Sequence, residues 1–350
     1  MILHKNDGLW SATWDYENLL ALETTAQSRS FIGCVRTHGI STNNTSNNTS
    51  NNTTTSNATP TSTSNGLSSE DEEAITSVLS GMNCHPIFLT SSLHHEFYDL
   101  YCKQVLWPAL HHVADVYGPI AQQSKQQKWD SYSKVNLLFK SKIVEVYHSN
   151  SIIWIHGFHL MLLPGFVRRV NPTAKIGFFF HTPFPSSEIW RTLVKRVDLL
   201  HGLLNADQIG FHLYEYARHF LTTCRRLLGY GYGMNASGVV NLHANNQEVA
   251  ISCLHVGVDL PNIHRAMKSD VFVREYLKWT EKFGSKTVVA GIDRMERLKG
   301  IPLKLKAIEQ FLKEQKEKHK KEKEKEMNNS NNSNGTNNTG TTNNNDTGNS

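Results

Sequence analysis

Five short runs of consecutive apolar residues constrain the fold of this chain more than any other feature: Ile87-Phe88-Leu89, Ile152-Ile153-Trp154-Ile155, Ile176-Gly177-Phe178-Phe179-Phe180, Val249 to Leu254, and Thr287 to Ile292. A strand with one wet face alternates apolar and polar side chains. A run that is apolar throughout belongs to a strand covered on both faces, as in parallel sheets flanked by helices. Helical periods lie between the runs. Leu213, Tyr216, Ala217, Phe220, Leu221, Cys224, Leu227 and Leu228 recur at helical spacing, and Gly229 follows as a stop signal. Val135, Leu138, Phe139, Ile143 and Val146 form a second stripe, for which Asp130 suits the N-cap. Ile301, Leu305, Ile308 and Leu312 form a third, and Leu93 to about His111 reads as a helix interrupted at Pro108. Strand and helix in alternation predict an α/β fold with a doubly wound, Rossmann-like parallel sheet.

The length of 350 residues suits two domains. Hydrophobic residues reach only 39%, and the deficit is local. Residues 41–66 are almost entirely Ser, Thr and Asn, and 328–350 are Asn, Ser, Thr, Gly and one Asp. Such tracts bury too little apolar surface to offset the entropy of ordering them. The foldable chain is therefore expected to be 1–40 plus 67–326.

Charge excludes some partners. The balance of 36 basic against 31 acidic residues leaves +5, and no basic patch alternates with aromatics as single-strand nucleic-acid binders require. Cys34, Cys84, Cys102, Cys224 and Cys253 are scattered and odd in number, which predicts reduced thiols and a cytoplasmic protein. The N-terminus has no apolar signal-peptide core. The longest apolar run, Ile152 to Phe166, carries two histidines and a proline and is too short to span a bilayer, so no membrane association is expected.

In doubly wound sheets ligands sit at the carboxyl ends of strands. His156-Gly157-Phe158-His159, His181-Thr182-Pro183-Phe184-Pro185 and the residues from Asp293-Arg294 each follow an apolar run. His156 and His159 lack an obvious third metal ligand, so no metal or other cofactor is expected. Two prolines stiffen the loop after His181, and Ser186 or Ser187 can cap the helix near Glu188. The loop is either a plain strand-to-helix turn or a turn that also holds His181 against a ligand. Arg294 and Lys299 stand between a strand and a helix start, as an anion site or as a solvated basic loop. Tyr98 and Trp107 fit a core face or a ligand platform.

Taken in order, these segments resemble trehalose-6-phosphate synthases of the plant type. The resemblance is carried by Arg29-Ser-Phe-Ile-Gly-Cys34, Phe97-Tyr98 through Leu106-Trp107-Pro108, Trp129-Asp130-Ser-Tyr-Ser-Lys-Val-Asn136 and Ile153-Trp-Ile-His156-Gly-Phe-His-Leu-Met-Leu-Leu-Pro164. It continues through Ile176-Gly-Phe-Phe-Phe-His-Thr-Pro-Phe-Pro-Ser-Ser-Glu-Ile189, Gly210-Phe-His212 with Tyr216-Ala-Arg-His-Phe220, His255-Val-Gly-Val-Asp259, and Gly291 to Gly300.

The resemblance implies a GT-B fold of two Rossmann-like halves that moves glucose from UDP-glucose to glucose 6-phosphate, with retention and without a metal. It implies acceptor-binding roles for Tyr98 and Trp107, a place beside the donor sugar for His181, and donor-diphosphate contacts for Arg294 and Lys299. It also implies an acceptor-side domain over 1–284 and the start of a donor-side domain over 285–326, ending in a charged helix. A disordered tail is expected over 327–350, and association with other trehalose-synthase subunits is implied.

One departure falls on the site. The family motif at the first strand end reads His-Asp-Tyr-His, and Gly157 replaces its Asp. Losing one charged contact costs about 2–4 kcal/mol, or on the order of 10²–10³ in rate. The family's first strand and glycine loop should precede Gly8, and its donor-ribose site should follow the helix near 301–312. Together these features lead to the expectation that the chain by itself has no detectable synthase activity, binds UDP weakly or not at all, and exposes apolar faces that lower its solubility. A catalytically silent relative that binds or senses a sugar phosphate is the alternative.

Overall fold

The computed structural model describes residues 2–6, 9–13, 29–35, 67–113, 125–244, 247–255, 257–258, 260–293 and 299–334, side chains at 2, 6, 13, 125–127 and 328–334 excepted. The tract 41–66, the residues beyond 334 and Arg294 lie outside that set. The chain divides into two compact units, Met1–Leu260 and Pro261–Ser350.

The first unit opens with an antiparallel hairpin of β1 (Ile2–Asn6) and β2 (Leu9–Thr13). Strand β3 (Phe31–Cys34) and, after α1 (Ser69–Ser80), strand β4 (Cys84–Ile87) pair in parallel. A long helical segment follows: α2 (Ser91–His94), a π-helical stretch His95–Leu106, and α3 (Trp107–Leu110). Then come α4 (Lys125–Val146), β5 (Ile152–His156), α5 (Leu163–Val170), β6 (Lys175–Phe180), α6 (Ser187–Trp190), α7 (Arg196–Leu203) and β7 (Gln208–Phe211). The unit closes with α8 (Tyr214–Leu228), β8 (Tyr232–Met234), β9 (Val240–Ala244) and β10 (Gln247–Cys253).

The six-stranded sheet runs β5-β6-β7-β10-β9-β8. Its first four strands are mutually parallel, and β9 and β8 add an antiparallel margin. This is the parallel-rich α/β architecture that the sequence implies. Strand β6 is the buried run it was read as: Ile176, Phe178, Phe179 and Phe180 are all buried. Strand β5 is not, since Ile152 and Trp154 are 72% and 50% exposed. It lies at the sheet margin among the described residues, with a neighbour on one side only. Helix α8 ends where its stripe predicts. Gly229 adopts φ +75° and its N–H donates to the Arg225 carbonyl, the left-handed cap that glycine takes without strain.

Four local expectations need correction. Asp130 lies inside α4 rather than at its N-cap, because the helix begins at Lys125. Pro108 does not interrupt its helix. The π stretch ends there with the Trp107 N–H donating to the Cys102 carbonyl, and Pro108 stands in the first turn of α3, where a missing N–H forfeits little. Ser186 is the N-cap of α6 but makes no side-chain cap bond. In the second unit, the run Thr287 to Ile292 is not a strand: Val289 and Ile292 are fully or almost fully exposed. A strand needs a neighbour, and no strand is described in that unit.

That unit consists of α9 (Leu260–Met267), which starts at the border, α10 (Asp270–Phe283) and α11 (Ile301–Asn334). Helix α11 passes the charged run and enters the Asn-rich tract to Asn334, since extending a formed helix costs far less than nucleating one. Leu305, Ile308 and Leu312, its expected apolar stripe, are exposed. None of the helices, among the described residues, is long and apolar enough to cross a membrane. All five cysteines are free.

Candidate functional site

The carboxyl ends of the four parallel strands each present a histidine. His156 ends β5, His181 follows β6, His212 follows β7, and His255 stands just beyond β10. His156 Nδ1 and His181 Nε2 share a hydrogen bond at 2.9 Å. The row continues with ring centroids 5.7 Å apart from His181 to His212 and 5.6 Å apart from His212 to His255. Parallel strands in register put equivalent positions side by side, so four strand-end imidazoles become neighbours without sharing any sequence motif. His181 was singled out by sequence; His212 and His255 were not assigned a role. The signal that could have found them is their place as the first polar side chains after an apolar run.

The loop bearing His181 is held from beneath. The Phe184 side chain is fully buried and meets Trp190 at 4.7 Å and Phe220 edge-on at 5.2 Å. Burying one phenylalanine contributes about 1.5–3 kcal/mol. The Phe184 carbonyl also receives a hydrogen bond from His219 Nδ1 at 3.0 Å. The two prolines and this buried plug make the loop a rigid pedestal. Just past His181, the Oγ1 of buried Thr182 has no hydrogen-bond partner among the described residues, and neither does His212 Nδ1. Buried polar atoms are normally satisfied, so a hydroxyl-bearing ligand at this edge suits both.

Burial lowers the pKa of His156, His181 and His212. For His181, burial acts first and the neighbouring His156 and His212 add to it, bringing it down to about 4. These three imidazoles are therefore uncharged near neutral pH and can exchange hydrogen bonds with sugar hydroxyls as donor or acceptor. The unfolded chain takes up protons at these imidazoles near pH ~6.5, whereas the folded unit resists them until lower pH. Stability should thus fall as pH drops from about 6.5 toward 4. Thermal melts across that range should show this acid limb, and His181→Asn should make it shallower; an unchanged limb in the variant would contradict the assignment.

The second part of the site is the turn between β5 and α5. Gly157 adopts φ +81° and ψ 160°, a region occupied almost only by glycine and costing other residues of order 1–3 kcal/mol. A Cβ there would sit 3.4 Å from His159 Nδ1. The turn hangs on α4. The Tyr132 hydroxyl donates to the Phe158 carbonyl at 2.8 Å and accepts the Met161 N–H at 3.0 Å. Asn136 Nδ2 donates to the Tyr132 and His159 carbonyls. Tyr132 and Asn136 are fully buried.

Tyr98 in the π-helical stretch and Trp107 at the start of α3 approach this turn. Tyr98 stacks on His159 with centroids 5.6 Å apart and planes 11° apart, and Trp107 lies 5.8 Å from the Phe158 ring. Both are half-buried against the core. Each ring also carries an imidazole, His94 at 5.4 Å on Tyr98 and His111 at 3.8 Å on Trp107, so only the part of each ring that these contacts leave uncovered is accessible. Lys299 is exposed at the entry to α11 in the second unit, and Arg294 lies outside the described residues. Among the described residues no three His, Cys, Asp or Glu side chains are grouped to hold a metal ion.

The glycosyltransferase family 20 profile matches residues 23–335. The chain belongs to that family. Its similarity to the probable alpha,alpha-trehalose-phosphate synthase (UDP-forming) 7 of Arabidopsis thaliana is 38% identity over 248 residues, covering 71% of this chain and 29% of that protein. The alpha,alpha-trehalose-phosphate synthase (UDP-forming) 6 of the same plant gives 38% identity over 252 residues, again 71% and 29%. The chain thus spans under a third of the length of these curated relatives. Among solved structures it is similar to the N-terminal domain of a Candida albicans trehalose-6-phosphate phosphatase, with a TM-score of 0.53 and 35% identity over 61% of this chain and 45% of that one. An E. coli trehalose-6-phosphate structure bound with UDP-2-fluoro glucose is similar in fold alone, with a TM-score of 0.50 and 24% identity over 57% of this chain and 42% of that one. Membership of glycosyltransferase family 20 accords with a parallel-rich sheet whose strand ends carry polar side chains.

Proposed function

We propose that this chain carries the acceptor side of a glucosyl-transfer site of the trehalose-phosphate synthase kind, moving glucose from UDP-glucose to glucose 6-phosphate. The observation that carries the reading is the linked arrangement of strand-end imidazoles and aromatic platform through one turn, residues 156–159. The half-exposed rings of Tyr98 and Trp107 offer apolar edges against which an acceptor sugar packs. The uncharged His181, oriented by His156, offers a hydrogen bond to a donor-sugar hydroxyl without placing a cation where a positive anomeric carbon develops. Arg294 and Lys299 are the residues the family resemblance gives to the donor diphosphate, where fixed cations stabilise departing UDP. A cytoplasmic setting and association with other synthase subunits complete the proposal.

Gly157 favours a second reading, in which the chain binds a sugar phosphate but transfers glucose slowly or not at all. Its backbone geometry goes further than the loss of a carboxylate. The φ and ψ at this turn are ones that an aspartate would adopt only under strain. The similar Candida albicans domain, from a protein named as a phosphatase, is in keeping with such a role.

Coupled measurement of UDP release from UDP-glucose and glucose 6-phosphate separates the two. Release that requires both sugars and disappears in His181→Ala supports transfer. Saturable binding of glucose 6-phosphate without release supports the second reading. The absence of both outcomes would overturn the assignment altogether.

A further inference from the structure

Strand register sorts the side chains of the six-stranded sheet onto two unlike faces. Ile155, Ile176, Phe178, Ile209 and Ile251 lie in the core, together with apolar side chains of α4, α5, α7 and α8. On the opposite face, Trp154 aligns with Gly177, Gly177 with Gln208, and Gln208 with Ala250. Ile152 and Lys175 form the preceding row of that face. Ile152 and Trp154 are 72% and 50% exposed, and Lys175, Gln208 and Glu248 are exposed as well. Parallel strands are normally covered on both sides, so the exposure of this face is unusual.

The face is flat, and its two halves differ. Trp154 lies across Gly177, where a Cβ would stand 3.7 Å from its Cδ1. Phe179 lies across Gly210, where a Cβ would stand 2.4 Å from its Cδ2. Glycine at both positions lets the rings rest along the sheet. The β5–β6 half carries bulky Ile152 and Trp154 and the cation Lys175. The β10–β9 half carries small Ala250 and Ser252 and the anion Glu248, held by Asn241 Nδ2 at 3.0 Å and His243 Nδ1 at 3.5 Å. Strand β7 runs between the halves.

We infer that this face is the interface of an isologous dimer, in which a second copy of the chain packs sheet against sheet. The inference does not depend on the glucosyl-transfer reading. Two-fold symmetry requires one half of such an interface to fit the other half. An axis along β7, between aligned sheets about 10 Å apart, meets that requirement. It lays the β5–β6 half of each copy over the β10–β9 half of the other. Trp154 then covers the partner's Ala250, where the side chains are small. Lys175 and Glu248 lie at one level of the sheet, each two residues before a position aligned with Gln208. Each Lys175 therefore meets the partner's Glu248. An unlike partner gives no reason for the two halves to complement each other.

Sedimentation equilibrium of the 350-residue protein from ~1 to ~100 µM tests the inference, a range that suits a weak interface. A reversible monomer–dimer equilibrium is expected. Trp154→Gln should keep the circular dichroism of wild type and weaken the dimer ~10-fold or more. Lys175→Glu should weaken it ~10-fold, because symmetry sets two like-charged pairs in the interface. Combining Lys175→Glu with Glu248→Lys reverses both charges and should bring the dissociation constant back to within ~3-fold of wild type. A merely structural role for either residue would not produce that rescue. A monomer at every concentration would overturn the inference and leave the face to a different occupant. A dimer that neither Trp154→Gln nor Lys175→Glu weakens would overturn it too, as would a folded double variant no tighter than Lys175→Glu alone.

Discussion

Replacing Tyr132 with phenylalanine should destabilise the first unit by about 2–4 kcal/mol and loosen the turn that joins the imidazole row to the aromatic platform. The ring itself stays, along with its contacts to Phe97, Tyr101 and Trp129, so no cavity of ring size is created. What disappears is one hydroxyl that satisfies two backbone groups, the Phe158 carbonyl and the Met161 N–H. Tyr132 is fully buried, so water does not readily replace it, and each orphaned group costs about 1–3 kcal/mol. Both groups belong to the turn that follows Gly157, whose conformation is already one that few residues tolerate. The loss should therefore appear twice: as a lower urea midpoint, and as weaker glucose 6-phosphate binding under conditions where the variant is still folded. A midpoint within experimental error of wild type would show that the hydroxyl does not anchor the turn.

Gly202→Ala should be at least as damaging, with an expected loss of about 3 kcal/mol. In an ordinary helix interior, alanine in place of glycine gains roughly 0.5–1 kcal/mol from backbone entropy. Here the added Cβ would lie 2.5 Å from the Met161 carbonyl oxygen and 2.9 Å from the Leu162 Cα. Both are backbone atoms, so no rotamer change relieves the contact. Helices α5 and α7 approach closely through Gly165 and Gly202, and separating them would disturb Met161 and Leu162, immediately beyond the turn that carries His159. The clash outweighs the entropic gain. Equilibrium urea unfolding followed by tryptophan fluorescence checks this; a variant as stable as wild type, or more so, would show that the crossing yields easily.

How much of this was legible in the sequence depends on the kind of information each element needs. Helix α8 and strand β6 were legible because their periods place Ala217, Phe220, Leu221 and Cys224 of the helix and Ile176, Phe178, Phe179 and Phe180 of the strand in the core, and Gly229 marks a left-handed stop. The His181 pedestal was legible because prolines fix φ locally. Strand β5 was misread as doubly covered: Ile152 and Trp154 share an exposed face, and an apolar run does not specify whether a helix packs over each face of its strand. The Thr287–Ile292 run was misread as a strand for a related reason: apolar composition supplies propensity, while the hydrogen-bonding partner must come from elsewhere in the fold. The π register of His95–Leu106 leaves no compositional trace, so the packing of Tyr98 on His159 emerges only in three dimensions. The imidazole row is likewise a property of strand order. The replacement of an aspartate by Gly157 was visible, but the positive φ that makes the replacement hard to reverse was not.

The most direct test of the account is a crystal structure of the chain grown with glucose 6-phosphate. The account predicts a hexose ring against the exposed edges of Tyr98 and Trp107, with its hydroxyls directed toward the His156–His181 strand ends. A sugar phosphate bound on another surface, with the strand ends of β5 and β6 untouched at saturating concentration, would contradict it.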